Sequence, residues 1–419
     1  MKKFLVLLFL TGGKLLAQDT PPLTLSSAYE LAQKNYPVIK QKDLVRQTAQ
    51  INISNLSKGY LPQLSLNAQA TYQSDVTRVN VSLPGLTIDA PSKDQYKIVA
   101  EATQLIYDGG VIKQQKEFQQ LNEAVGQQEV EVELYKLKDR INQLFLGVLY
   151  LDEQVKQANL VKQDLNTGIK TTEARVNNGV AFKSELNTLK AELLKVEQNV
   201  IQLRATRKGL LETLGIFLNQ SLPESIQLES PLPEQSLTPD IQRPEVKLFS
   251  YRQNLVASQD KMIAAKNLPK TSLFVQGGYG RPGLNMLDNN FDFYYIGGVR
   301  LNWSLSGLYT SKKERQLVQV NKRMVDIQKD VFLLNTNASL KTQQSEIEKL
   351  KQLVSTDNEI IELRKSVKDA SQAQLNNGVI TVNDFLQQVN AEDQARQLLI
   401  THQLQLIQAK INYETLLGK

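Results

Sequence analysis

The residue types that most often do chemistry are scarce in this 419-residue chain. It holds no cysteine and one histidine, His402. That removes thiol catalysis, disulfides and Cys-type zinc sites, and it leaves any histidine triad one candidate with no cysteine partner. His402 lies deep in a helical pattern without other ligand-type residues beside it, so a packing or surface role is expected rather than metal ligation. Gly278-Tyr279-Gly280-Arg281-Pro282-Gly283 matches G-x-G-x-x-G literally. The dinucleotide fingerprint needs a helix to begin there, so that its N-terminus can hold a pyrophosphate. Here Pro282, a polar loop and another strand pattern follow, which reads as a hairpin end. Lys312-Lys313-Glu314-Arg315 reads as a solvated helix face. No acid and base converge, so no catalytic residue, metal or cofactor is assigned and the chain is not expected to be an enzyme.

Charge excludes a further class. The formal net charge is +6. Residues 1–17 carry Lys2, Lys3 and Lys14 and no acid, so removing them takes +6 to +3. A balance that small gives no support for nucleic-acid binding. The removal is expected because Lys2-Lys3, the apolar run Phe4 to Leu10, and Gly12, Gly13 and Ala17 have the layout of a secretory signal peptide. That apolar run is too short to span a bilayer, which takes about 20 residues. No later stretch is long and apolar enough to be a transmembrane helix, which leaves a β-barrel as the one route into a membrane.

The elements that would position any site are laid out twice, about 200 residues apart. Leu61-Pro62-Gln63-Leu64-Ser65-Leu66 returns as Leu268-Pro269-Lys270-Thr271-Ser272-Leu273. Leu105-Ile106-Tyr107-Asp108-Gly109-Gly110 has a looser echo in Leu301 to Gly307. Val176-Asn177-Asn178-Gly179-Val180 returns as Leu375-Asn376-Asn377-Gly378-Val379, and each half closes on Leu-Gly, at Leu214-Gly215 and Leu417-Gly418. The expected division is a signal peptide at 1–17, a first repeat at 18–222, a Pro-rich linker at 223–244 and a second repeat at 245–419. Proline at the linker's density blocks a continuous helix.

Period-two alternation predicts strands at about 64–80, 95–107, 271–281 and 291–305. Leu64, Leu66, Ala68, Ala70 and Tyr72 share one face, with Ser65, Asn67, Gln69 and Thr71 on the other. Phe291, Phe293, Tyr295 and Trp303 add an aromatic cluster that suits a membrane interface. A soluble, half-buried sheet would alternate in the same way. The helices argue otherwise. Apolar residues at 3–4 spacing, such as Leu134, Leu137, Ile141, Leu144, Val148 and Leu151, predict helices at about 109–177, 180–216, 308–376 and 379–417. A helix of ~65 residues is about 100 Å long and must lie against other rods. Two strands and a long helix pair, given twice, make four strands per chain. Four strands cannot close a barrel, and open edges are not tolerated in lipid. Three copies give twelve, an even number within the range of outer-membrane barrels.

The double repeat, the Leu-Pro strand openings, Ile106-Tyr107-Asp108-Gly109-Gly110 and the paired Asn-Asn-Gly-Val turns resemble the TolC-like outer-membrane efflux protein family, over essentially the whole mature chain. The resemblance implies a mainly α fold with a membrane β-barrel, two tandem β-β-α-α repeats per chain. It implies a homotrimer whose 12-stranded barrel continues into a long α-helical periplasmic tunnel. It also implies an outer-membrane duct, surrounded by lipid, that exports small molecules delivered by an inner-membrane pump through a periplasmic adaptor. On the family's pattern, Asn178, Gly179, Val180 and Ala181, with Asn377, Gly378, Val379 and Ile380, are the adaptor-docking tips. Glu185 and Asp384, six residues past each glycine, fall where the family carries an acidic constriction. The position one turn beyond Asp384 is Gln387, so a second acidic layer is not implied. The tips differ at Ala181/Ile380 and Glu185/Asp384, so one is expected to gate while the other mainly docks. The alternatives are a protein-secretion duct and, from another class, a secreted coiled-coil adhesin that would extract without detergent.

Overall fold

A computed structural model of the chain describes residues 22–77, 90–232 and 240–419. The expected signal peptide, Pro84-Gly85 in the first strand-strand loop, and Pro233 and Pro239 of the linker lie outside the described residues. In chain order the elements are helices α1 (Leu25–Asn35) and α2 (Lys40–Ser57), strands β1 (Gln63–Tyr72) and β2 (Asp94–Tyr107), and helices α3 (Val111–Asn177) and α4 (Lys183–Leu218). Then come helix α5 (Pro244–Lys266), strands β3 (Lys270–Arg281) and β4 (Asp292–Asn302), and helices α6 (Gly307–Asn376) and α7 (Val382–Leu417). The fold is therefore mainly helical with one small antiparallel sheet. Its contacts divide it into two compact units that cut across the sequence repeat, because the long helices pack side by side instead of each repeat folding on itself.

One unit spans residues 37–135 and 240–339, with the last two residues. Its sheet has the order β1-β2-β3-β4, antiparallel throughout, so β1 and β4 are open edges among the described residues. Register keeps one face apolar across all four strands. Leu66 pairs with Ala100, Ala100 with Gly277 and Gly277 with Tyr295. On the other face Arg300 of β4 reaches across β3 to Glu101 of β2 at 2.8 Å, and its guanidinium lies 4.4 Å from the Phe274 ring centre. The G-x-G-x-x-G glycines serve this sheet. The Tyr294 ring fills the space a Cβ at Gly278 would need, and a Cβ at Gly280 would lie 2.7 Å from the Tyr96 carbonyl oxygen. No helix starts there, so no phosphate cradle exists.

The strand-to-helix turn explains the Asp-Gly-Gly motif. The Asp108 carboxylate accepts from the N–H of Gly110 at 2.8 Å and of Ile112 at 2.6 Å, capping the first turn of α3. Gly109 and Gly110 have φ of 74° and 85°, a region glycine enters without steric cost. A Cβ at Gly109 would also lie 2.6 Å from the Ala265 carbonyl oxygen. At the start of α5, Pro244 occupies the first helical turn, where its missing N–H costs nothing.

The other unit spans residues up to 36, 136–239 and 340–417. Its upper core gathers Leu25, Ala28, Leu137, Ile141, Phe145, Leu214 and Leu218. Of these, Leu137 and Ile141 are positions that the 3–4 spacing of α3 predicts to face inward, and Leu144, the next on that seam, packs half-buried against them. The linker is pinned to this body. Arg207 donates from Nε to Asp152 at 2.5 Å, and from its Nη atoms to the carbonyls of Glu224 at 2.6 Å and Ile226 at 2.9 Å. Leu23 and Leu228 form a parallel bridge beside it. His402 hydrogen-bonds through Nδ1 to the buried Asp357 at 2.6 Å, joining α7 to α6. Among the described residues no group of acids and histidines could hold a metal, and no helix is long and apolar enough to cross a membrane.

Candidate docking tips and gate

The two α-α turns are built alike from backbone groups. At the end of α3 the Gly179 N–H donates to the Val176 carbonyl at 3.0 Å, and the Val180 N–H to that of Arg175 at 2.9 Å. At the end of α6 the Gly378 N–H donates to Leu375 at 3.0 Å, and the Val379 N–H to Gln374 at 2.9 Å. This paired 5→2 and 6→1 pattern is a Schellman cap, with the glycine in the left-handed region at φ 74° and 73°. It satisfies the last carbonyls of each helix and turns the chain outward. Asn178, Gly179, Asn377 and Gly378 are exposed, Ala181 and Ile380 half-buried. Val180 and Val379 keep 64% and 71% of their surface in solvent. A valine that exposed contributes little to its own fold.

The tips are also tied to each other. Arg175, from the first turn, donates from Nη1 to the Leu375 carbonyl at 3.0 Å and so caps the other hairpin's helix. A Cβ at Gly378 would meet its Nη2 at 3.0 Å, whereas Gly179 faces open space. Beneath both turns, Leu165, Ile169, Leu186, Leu189, Leu375 and Phe385 form one buried cluster.

The two acids differ. The Asp384 carboxylate accepts from the Thr381 hydroxyl at 2.7 Å and the Thr381 N–H at 3.1 Å, while the Thr381 hydroxyl accepts from the Asp384 N–H at 3.2 Å. That is a reciprocal capping box at the start of α7. The Thr381 hydroxyl first, and its backbone N–H second, hold the Asp384 carboxyl below the usual aspartate range. At the matching place Phe182 replaces Thr381 and caps nothing through its side chain. Glu185 has no side-chain hydrogen bond among the described residues. Spacing puts Phe182 on the buried seam of α4; instead it precedes the helix and is 76% exposed. Its backbone is extended at that point, which turns the ring away from the seam. Phe182 is the tip residue that periodicity misassigns, because periodicity does not register where a helix starts.

Behind the tips lies a polar layer. Lys368 of α6 contacts Asp164 of α3 at 3.0 Å and Glu392 of α7 at 3.2 Å. Arg396 holds the same buried Glu392 at 2.6 Å. Burial pulls the Lys368 ammonium down, yet Asp164 and Glu392 outweigh it and leave the group above its ordinary value. Asp393 accepts from the amides of Gln157 at 2.9 Å and Gln397 at 2.6 Å. Burial dominates there and raises its carboxyl.

Residues 28–219 match the family model described as outer membrane efflux protein. No curated protein matches the sequence. Among solved structures, the CmeC outer membrane channel of Campylobacter jejuni is similar at 13% identity and TM-score 0.63, over 94% of this chain and 85% of that one. VceC of Vibrio cholerae is 16% identical at TM-score 0.59, over 94% and 96% of the two chains. The MtrE outer membrane channel of Neisseria gonorrhoeae, in its open state, is 14% identical at TM-score 0.63, over 94% and 88%. The sequence match places residues 28–219, the first repeat, in the outer membrane efflux protein family, a family of channels rather than enzymes, and nearly the whole chain shares the fold of the solved outer-membrane channels.

Proposed function

We propose that three copies of the chain close their sheets into a 12-stranded barrel in the outer membrane, and that the long helices line a tunnel through the periplasm. This channel is the passive duct of a tripartite system, carrying small molecules delivered by an inner-membrane pump and a periplasmic adaptor. The observation that carries the reading is the sheet. Among the described residues both of its edges are unpaired, and its apolar face stands open, with Leu64 81%, Phe293 85% and Tyr295 84% exposed. In lipid each unpaired backbone group costs several kcal/mol, so the edges must meet other strands. An apolar outer face then suits the membrane, and the face with Glu101 and Arg300 suits a water-filled lumen.

Within that reading the tips meet the adaptor through Asn178, Gly179, Val180, Ala181, Asn377, Gly378, Val379 and Ile380. Asp384, with Glu185 as a weaker second, lines the constriction, where threefold symmetry would make a ring of carboxylates that attracts cations. Native mass spectrometry of the detergent-solubilised protein, together with planar-bilayer recording, tests the architecture. A trimer that inserts as discrete channels is the expected result. A monomer that leaves the membrane without detergent would return the chain to the adhesin class.

A further inference from the structure

The face of the sheet that holds Glu101 and Arg300 also carries two aromatic rings, although the interior of an outer-membrane barrel is polar. Strand alternation puts Phe274 of β3 and Tyr294 of β4 on that face. Each ring leans across to a glycine directly opposite on the other strand. Phe274 faces Gly298 and Tyr294 faces Gly278, so the two pairs are reciprocal and lie four residues apart. A Cβ at Gly298 would lie 3.3 Å from the Phe274 ring, and one at Gly278 would overlap the Tyr294 ring. An aromatic ring laid over a glycine shields the strand. A leucine would cover the glycine as well; what the ring adds is a π face.

The two rings differ in what lies on them. The planar guanidinium of Arg300 sits 4.4 Å from the centre of the Phe274 ring and is held by Glu101 at 2.8 Å. A flat, delocalised cation gains there from the negative ring face and from the carboxylate together. Tyr294 is half-buried and has no ring or cation partner among the described residues. Asp292 lies two residues away on the same face, about 7 Å along the strand. It is exposed and makes no ion pair or side-chain hydrogen bond among the described residues. On that face the nearest cation by register is Lys97, which faces Asp292 across Gly280, two strands and about 10 Å away. Tyr294 and Asp292 thus present to water the combination of ring and carboxylate that Phe274 and Glu101 present to Arg300.

We infer that Tyr294 and Asp292 form a stacking site for flat organic cations on the inner wall of the duct, near its outer end. The inference rests on the duct reading above and names a chemical class of its cargo.

Equilibrium dialysis of detergent-purified trimers against proflavine, a planar aromatic cation, tests it. Tyr294→Leu still covers Gly278, so it should keep the trimer and its melting temperature while weakening proflavine binding about two- to fivefold. Tyr294→Phe should bind as wild type does, and Asp292→Asn should weaken binding to a similar degree as the leucine variant. Unchanged affinity in assembled Tyr294→Leu trimers would reduce the ring to a cover for its glycine and overturn the site. If the leucine variant fails to assemble, Asp292→Asn decides, and unchanged affinity there overturns the site equally. Tighter wild-type binding of fluorescein, a planar anion, would overturn the cation class. Wild-type protein that stays monomeric and still binds proflavine through Asp292 would overturn the ring of three copies and spare the site.

Discussion

Asp384 caps α7 and is also the acid proposed for the constriction, and its capping box allows the two roles to be tested separately. Asp384→Asn removes the charge but keeps an oxygen that can accept from the Thr381 hydroxyl and N–H. Thr381→Val removes the hydroxyl at both ends of the box and leaves the carboxylate charged. If the carboxylates form the constriction, Asp384→Asn should abolish block of single channels by divalent cations, while Thr381→Val keeps it. Block that survives Asp384→Asn would reduce this acid to a helix cap. The pH dependence follows from the lowered carboxyl. The folded value lies below the unfolded one of about 3.9, so the charge and the cap are both fully present above that pH and are lost as pH falls through the depressed folded value. Cation block should therefore persist to about pH 4 and titrate away below it. The Thr-x-x-Asp spacing of a capping box stands openly in the sequence at residues 381–384. The absence of a hydroxyl at Phe182 is just as open, and it supplies a physical basis for unequal tips. Phe182 itself was not legible, since an aromatic at seam spacing looks buried until the helix start is known.

The elements divide by how far their signals reach along the chain. Long helices and strands could be read because their periodicity persists over many residues, as in Leu134 to Leu151 and Leu64 to Tyr72. Helices α1, α2 and α5 are shorter than the others, so even a clear pattern such as Leu25, Ala28 and Ala32 of α1 runs over few turns, although α2 turns out to border an open edge strand. The polar layer across α3, α6 and α7 had no local signal at all, because Gln157 and Asp393 meet across 236 positions. That layer offers a test of what binds the helices. Asp393 has a folded-state value raised by burial, so its protonated form is the one folding favours. Its relative stabilisation is present below the ordinary aspartate value and is lost as pH rises through the raised folded one. At neutral pH the charge is a cost, and Asp393→Asn removes it while the amide can still pair with Gln157. Thermal unfolding should show Asp393→Asn more stable than wild type by a few degrees at pH 8, with the difference closing toward pH 4. A uniform loss of stability at both pH values would show that the carboxylate is needed as a charge. Glu392 is the contrasting case: Lys368 and Arg396 both hold it, so removing Lys368 would leave the buried charge with half its compensation and should lower the melting temperature.

At the scale of the whole molecule, the repeat matters because it builds two similar tips on a chain too small to make a pore by itself. Each copy then contributes two strand pairs and two helix hairpins, and a trimer built from them has walls with nearly sixfold repetition. Such a trimer would present six exposed valines, Val180 and Val379 of each copy, held outward by backbone caps in which the valine side chains take no part. A side chain that the fold does not use can be changed without disturbing assembly. Val180→Glu and Val379→Glu should therefore leave trimer yield, melting temperature and bilayer conductance as in wild type. If these valines are the adaptor contact, each variant should weaken small-molecule efflux in cells that depend on this channel, and the double variant should abolish it. The reason is that a carboxylate forced against an apolar partner must be desolvated without a compensating charge. Gly378→Ala provides an internal comparison, because it strains the positive φ and crowds Arg175, and so should lower stability along with export. Export that is normal in the double valine variant, from trimers that still conduct, would move the docking site off the valines and make the exposed ring of Phe182 the next residue to replace.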